Sequence, residues 1–235
     1  ARNSQVLVTD PGSVWSMGGN LLLGYYASYS LLVVTNGGRV TNNFGNIAFN
    51  TGSGNNRAVV TGSGSVWSSS GNVKSGNSGH FNSVEVSCGG LLACGGLVQV
   101  GNGGASNLLT VTSGGVVTSL NGGRLGAGNF SSGNLAVVRD AGSRWLNSGE
   151  VDLGSSGSFN ALFITNQASM VSVGAYVGAT GIQGGSGSTN LVVLAGAGSA
   201  WTNSDHFGLG NFGRCNELII SNGAAMWNTR YLGDL

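Results

Sequence analysis

The stretch QVLVTDPGSVWSMGGNLLLGYYASYS, residues 5–30, decides the fold. It holds three short extended segments separated by turn chemistry: Val6-Leu7-Val8-Thr9, Ser13-Val14-Trp15, and Leu21-Leu22-Leu23 closed by Gly24. Segments this short are strands rather than helices, and no helical period interrupts them. The same block recurs about every 26 residues, with starts at Gln5, Leu31, Arg57, Ser83, Leu108, Leu135, Ala161, Leu191 and Glu217. A period in this range identifies a solenoid or array. Three strands per repeat, stacked in register, predict an all-β, right-handed parallel β-helix of about nine coils, one domain over 1–235. At about 4.8 Å per coil the rod is about 43 Å long.

Strand one recurs as LVVT (32–35), AVVT (58–61), VEVS (84–87), LTVT (109–112), AVVR (136–139), LFIT (162–165), VVLA (192–195) and LIIS (218–221). Its alternation places Glu85 and Thr110 outward, and with them Leu7, Val33, Val59, Val137, Phe163, Val193 and Ile219. One face is therefore expected to carry an apolar strip, the kind of surface that makes contacts. Strand three closes on Gly24, Gly76, Gly101, Gly126, Gly154, Gly178, Gly210 and Gly233, with Asn50 read as the exception, so a left-handed corner is expected there. Asn56, Asn82, Asn107, Asn134, Asn160, Asn190 and Asn216 fall at another corner and are expected to form a stacked amide ladder. The 25- and 27-residue blocks from Ser83 and Leu108 are accommodated in the polar turns.

All five tryptophans, Trp15, Trp67, Trp145, Trp201 and Trp227, stand six residues after the strand-one Thr position, with Thr41, Ala93, Thr118 and Val171 between them. The neighbouring positions are Val14, Val40, Val66, Leu92, Val117, Arg144, Met170, Ala200 and Met226. Arg144 is hard to bury unpaired, which turns that column outward and the tryptophans inward; the opposite orientation would make an aromatic strip suited to sugar stacking. The pattern V-V-T-G-x-G-S-x-W, S-G-N and a closing Gly, carried by Val59 to Trp67 with Gly71-Asn72, Val137 to Trp145 and Val192 to Trp201, resembles the β-helical repeats of bacterial autotransporter passengers and of PEP-CTERM-type exported proteins. The resemblance spans essentially the whole chain. It implies a secreted or surface-displayed β-solenoid and does not imply an enzyme; a membrane β-barrel segment, which autotransporters carry, is missing from these residues.

Charged residues make up 7% of the chain and the net charge is +1. With abundant Ser, Thr, Asn and Gly this reads as an exported protein, extracellular or at the cell surface. The nine basic residues are scattered, so no nucleic-acid partner is expected. No apolar run reaches the ~18–20 residues of a membrane span. No signal peptide is visible, so the chain reads as a mature form or a fragment. Cys88 and Cys94, on either side of a Gly-Gly bend, form either a disulfide or, with Cys215, three small thiols. No metal site or cofactor is expected. The one charge cluster is Arg139, Asp140, Arg144, Glu150 and Asp152, and Glu150 with Asp152 is the only carboxylate pair an enzyme could use. It reads as a solvated ion-pair patch, so no catalytic residue is assigned.

Neither end shows a cap, and open coils invite edge-to-edge pairing. Joining residues 232–235 to 1–9 gives LGDLARNSQVLVT, in phase with LGYYASYSLLVVT at 23–35. A second copy placed head to tail would thus continue the coil. The expected function is a structural, self-assembling extracellular filament subunit. Its interface is Ala1, Arg2, Asn3, Ser4, Val6 and Val8 against Leu218, Ile220, Trp227, Tyr231, Leu232 and Leu235. The alternatives are a surface-displayed adhesin for a host or polysaccharide and, less favoured, a polysaccharide-cleaving enzyme.

Overall fold

A computed structural model describes residues 3–178 and 187–229. The described residues contain strands and turns and no helix. They form eight three-strand coils and a ninth with two strands, Glu217–Ser221 and Ala225–Asn228. First strands begin at the nine block starts read from the sequence. Equivalent strands pair in parallel with the next coil, giving two nine-stranded sheets and one of eight. The fold is a parallel β-solenoid.

The first sheet holds the five-residue strands, whose second and fourth residues are buried in the inner coils (Leu32 and Val34, Leu162 and Ile164). The outward middle position is as expected, but its exposure is uneven. Leu7 and Ile219 at the ends are open, the inner members are half-buried between neighbouring coils, and Val59 is buried. An Arg57–Glu85 ion pair interrupts the strip at the third and fourth coils.

Two lengths of first turn decide what enters the core from the second sheet. Four-residue turns end in Ser13, Ser65, Ser143 and Ser199; three-residue turns are Asn36-Gly37-Gly38, Cys88-Gly89-Gly90, Ser113-Gly114-Gly115, Asn166-Gln167-Ala168 and Asn222-Gly223-Ala224. The extra residue shifts the phase by one. Trp15, Val40, Trp67, Leu92, Val117, Trp145, Met170, Trp201 and Met226 therefore share one inward register. Counting from the strand-one Thr mixed two columns. Trp67, Trp145 and Trp201 are buried, but Trp227 pairs with Thr202 on the outward face and is exposed. Val40, Leu92, Val117, Met170 and Met226, assigned outward with Arg144, belong to the core side; only Val14, Val66, Arg144 and Ala200 stay outward.

The third sheet matches this alternation. A Cβ on Gly45 would approach Trp67 Cζ2 to 2.6 Å, and one on Gly123 would approach Trp145 Cζ2 to 2.6 Å. Ala175 holds the same position in the coil before Trp201. Coils that precede an aliphatic residue carry Leu21, Val73, Val98, Val151 or Phe207 there. Each indole thus occupies volume that its neighbouring coil vacates, as close packing demands.

Turn lengths also interlock. The hydroxyls of Ser65, Ser143 and Ser199 accept the backbone N–H of Gly37, Gly114 and Gln167, each at 3.0 Å, from the three-residue turn of the preceding coil. Ser65 is fully buried. Ser65→Ala leaves the Gly37 N–H without this acceptor and is expected to cost about 1–2 kcal/mol, read as a lower urea midpoint with an unchanged slope.

The asparagine ladder runs as expected from Asn56 to Asn216. Each Oδ1 accepts both the backbone N–H and the Nδ2–H of the Asn one coil earlier, as in Asn107 to Asn134 at 2.9 and 3.1 Å. Ser30 heads the ladder by donating its N–H to Asn56. The left-handed corner glycines seat these amides: a Cβ on Gly76 would lie 2.1 Å from Asn107 Nδ2. The corner exception is Ala48 (φ 58°), not Asn50, because the second coil has shorter first and second turns and a longer third. A second buried polar row, Asn42, Ser69, Ser119, Asn147, Ser172 and Asn203, ends the second-sheet strands. Trp67 Nε1 donates to Asn42 Oδ1 (2.7 Å) and Trp201 Nε1 to Ser172 Oγ (2.9 Å).

The cysteines are free thiols. Cys88 is exposed in a first turn, and Cys94 is buried at the far end of the strand Leu91–Cys94. That strand separates the two by about 3.3 Å per residue, which rules out the disulfide. Cys94 donates to Gly71 O (3.2 Å), and burial pushes its thiol up.

Candidate functional site

The third sheet shows solvent a polar row rather than an apolar one. In register it reads Leu22, Asn46, Lys74, Gln99, Arg124, Asp152, Tyr176 and Gly208. Long side chains alternate with short ones, so Asn46, Gln99 and Asp152 are buried between their neighbours although they point away from the core. Burial lowers the Lys74 ammonium.

The row becomes a cluster at Arg124, Asp152 and Tyr176, joined by Glu150, Asp205 and His206 from the adjoining second turns. Arg124 Nε lies 3.2 Å from Asp152 Oδ2, while Asp152 Oδ1 is buried without a hydrogen-bond partner. Burial, reinforced by Glu150, pushes the Asp152 carboxyl up to about 6, against the opposing pull of Arg124 and His206. His206 Nε2 stands 3.7 Å from Glu150 Oε1, and Nδ1 stands 3.6 Å from Asp205 Oδ2. Its ring meets that of Tyr176 at a centroid distance of 4.7 Å. Burial, then the charges of Glu150, Asp152 and Asp205, raises the Tyr176 phenol. Two glycines make room for these rings. A Cβ on Gly174 would meet His206 Cε1 at 2.6 Å, and one on Gly208 would meet Tyr176 Cδ1 at 2.8 Å.

The five-member charge patch read from the sequence does not assemble. Arg139 and Arg144 are exposed on the first and second sheets, and Asp140 sits in the first turn between them, accepting from Asn166 Nδ2 at 2.8 Å. Glu150 and Asp152 are on the third-sheet face, Glu150 exposed and Asp152 buried, so they do not form an equivalent carboxylate pair. The other cluster members come from the fifth, seventh and eighth coils. Linear spacing could not reveal them; aligning the middle residues of strand three would have placed Arg124, Asp152 and Tyr176 in one line. His80 is occupied elsewhere, its Nδ1 accepting the Ala105 N–H at 2.9 Å.

The first and ninth coils bound the described residues. Beside the first coil lies a cavity of about 360 Å³ lined by Val6, Trp15, Leu21, Leu23 and Leu32, among others. Val6 and Trp15 are half-buried and Val8 is buried; Asn3 and Ser4 are exposed. At the far end Ile220 and Trp227 are exposed and Leu218 and Met226 half-buried. Ala1, Arg2, Tyr231, Leu232 and Leu235, also expected at the junction, lie outside the described residues, as does Gly233. Among the described residues no three His, Cys, Asp or Glu side chains converge as a metal site, and no helix is long and apolar enough to cross a membrane. No family model, curated protein or solved structure matches the chain, so its functional reading rests on these surfaces.

Proposed function

We propose that this protein is a structural, non-catalytic β-solenoid of the cell exterior that extends by head-to-tail stacking of copies. The observation that carries the reading is the complementarity of its two open ends. Inside the rod, each of the three interior four-residue turns rests on a three-residue turn, with its Ser accepting a backbone N–H across the junction. The last described coil carries a three-residue turn, Asn222-Gly223-Ala224, and the first carries a four-residue turn ending in the exposed Ser13. Stacking the first coil of one copy on the ninth of another repeats that junction, with the Gly223 N–H facing Ser13 Oγ. The same step covers the edges of Gln5–Thr9 and Glu217–Ser221, each of which pairs with one strand among the described residues, and the apolar cavity beside Trp15. A heterologous contact of this sort does not close on itself and yields a filament.

Sedimentation velocity and negative-stain electron microscopy of the purified chain over a concentration series test this. Rods should lengthen with concentration, and Val6→Lys, which places a charge in the junction, should abolish them. A folded wild-type chain that stays monomeric at high concentration overturns the proposal. A second reading, a surface-displayed adhesin, is favoured by exposed aromatics at the turns, Phe81, Phe130, Phe159 and Phe212. The buried rings of Trp67, Trp145 and Trp201 are not available for such contacts.

A further inference from the structure

We propose that the outward face of the third sheet, over the fifth to eighth coils, binds a primary ammonium group of an amino sugar or a polyamine between Glu150, Asp205, His206 and Tyr176. The charge balance comes first. Arg124 is the one cation among three carboxylates, Asp152, Glu150 and Asp205, in a chain with few charges overall. Asp152 is buried, paired with Arg124 through one oxygen and left without a hydrogen-bond partner at the other, so Arg124 is engaged there and the charges of Glu150 and Asp205 are left without a cation at the surface. The outer carboxylates are also free to act. At 3.6 and 3.7 Å from the imidazole nitrogens, neither makes a hydrogen bond to His206.

An ammonium offers three donors and no acceptor, which suits a set of carboxylate oxygens. It is also attracted to the face of an aromatic ring such as Tyr176. The glycines at 174 and 208 leave the space that the His206 and Tyr176 rings occupy, and the two rings pack against each other at 46°. A neutral sugar could use the hydrogen bonds but would leave the charge unanswered. Among the described residues no three His, Cys, Asp or Glu side chains converge on one point as metal ligands.

Acid should weaken the site. Asp152, with its carboxyl pushed up to about 6, takes up a proton on going from pH 7 to pH 5. The groups facing it are Arg124, Glu150, Tyr176, Asp205 and His206. That change removes attraction, and an alkyl polyamine, which stays charged over this range, is the probe that reads it.

Calorimetric titration, with the Tyr176 and His206 ring resonances followed by NMR, tests this with four probes: glucosamine tetramer, its N-acetylated counterpart, spermidine and calcium chloride. The fully deacetylated tetramer or spermidine should bind saturably at pH 7, at least tenfold more tightly than the acetylated tetramer, both should weaken with added salt, and spermidine should weaken at pH 5. The two amines distinguish a glycan from a polyamine source. Glu150→Gln with Asp205→Asn should weaken binding at least tenfold, and unchanged circular dichroism shows that the coil persists. Equal binding of the acetylated tetramer, indifference to the double substitution, or ring shifts produced by calcium alone overturns the proposal. The outcome is independent of whether copies stack end to end.

Discussion

Trp145→Leu is expected to destabilise the protein by about 2–4 kcal/mol, and Gly123→Val by about 1–3 kcal/mol, yet the two together by less than their sum. The first leaves a void where the indole lay. The second drives a side chain into Trp145 Cζ2, which a Cβ on Gly123 would already approach to 2.6 Å. Combined, they recreate the pairing that the rod uses elsewhere, with Leu92 following a coil that carries Val73. Trp145 suits the experiment better than Trp67 or Trp201, because its Nε1 has no hydrogen-bond partner and its loss strands no acceptor. Denaturant unfolding of the wild type, both single variants and the double variant gives a coupling energy. A value of about 0.5–3 kcal/mol is expected for side chains that share one volume. Strict additivity would mean that the alternation of indole and glycine along the rod is not a packing relation.

This alternation also marks where the sequence could be read and where it could not. The coil starts and the asparagine ladder were legible because both recur at a fixed distance from strand one, and the structure keeps them in register. The tryptophan column was misread because one extra turn residue reverses which side a strand residue faces. The block length hides that residue: the second coil is shorter in its first two turns and longer in its third, and it still spans 26 residues. The same compensation made Asn50 look like the corner that Ala48 occupies. The charge cluster on the third sheet was out of reach for a different reason. Its members are one residue per coil or nearly so, and only the register of three-residue strands brings Arg124, Asp152 and Tyr176 side by side. Gly174 and Gly208, which no sequence pattern singled out, leave the space for two of its rings.

The ladder has a direction, and that direction makes a second large effect testable. Asn134 Oδ1 accepts the Asn107 N–H and Nδ2–H, and Asn134 Nδ2 donates to Asn160 Oδ1 at 3.0 Å. The side chain is buried over Gly101, where a Cβ would fall 2.2 Å from its Nδ2. Asn134→Ala strands two buried donors and is expected to cost about 3–5 kcal/mol, at about 1–3 kcal/mol for each unsatisfied group. Asn134→Asp is the sharper variant. It keeps the acceptor but sets a carboxylate oxygen against Asn160 Oδ1, with no proton between them unless the carboxyl is neutral. Burial and this facing acceptor raise the folded-state value above the ~3.9 of a free aspartate. Between those two values the folded chain binds more protons than the unfolded one, so stability falls as pH rises. The gap in melting temperature between Asn134→Asp and the wild type should therefore be small near pH 4 and wide at pH 7. Comparison with the wild type cancels the separate titration of Asp152. A gap that does not change with pH would mean that the position-134 side chain accepts from both neighbours rather than donating to Asn160.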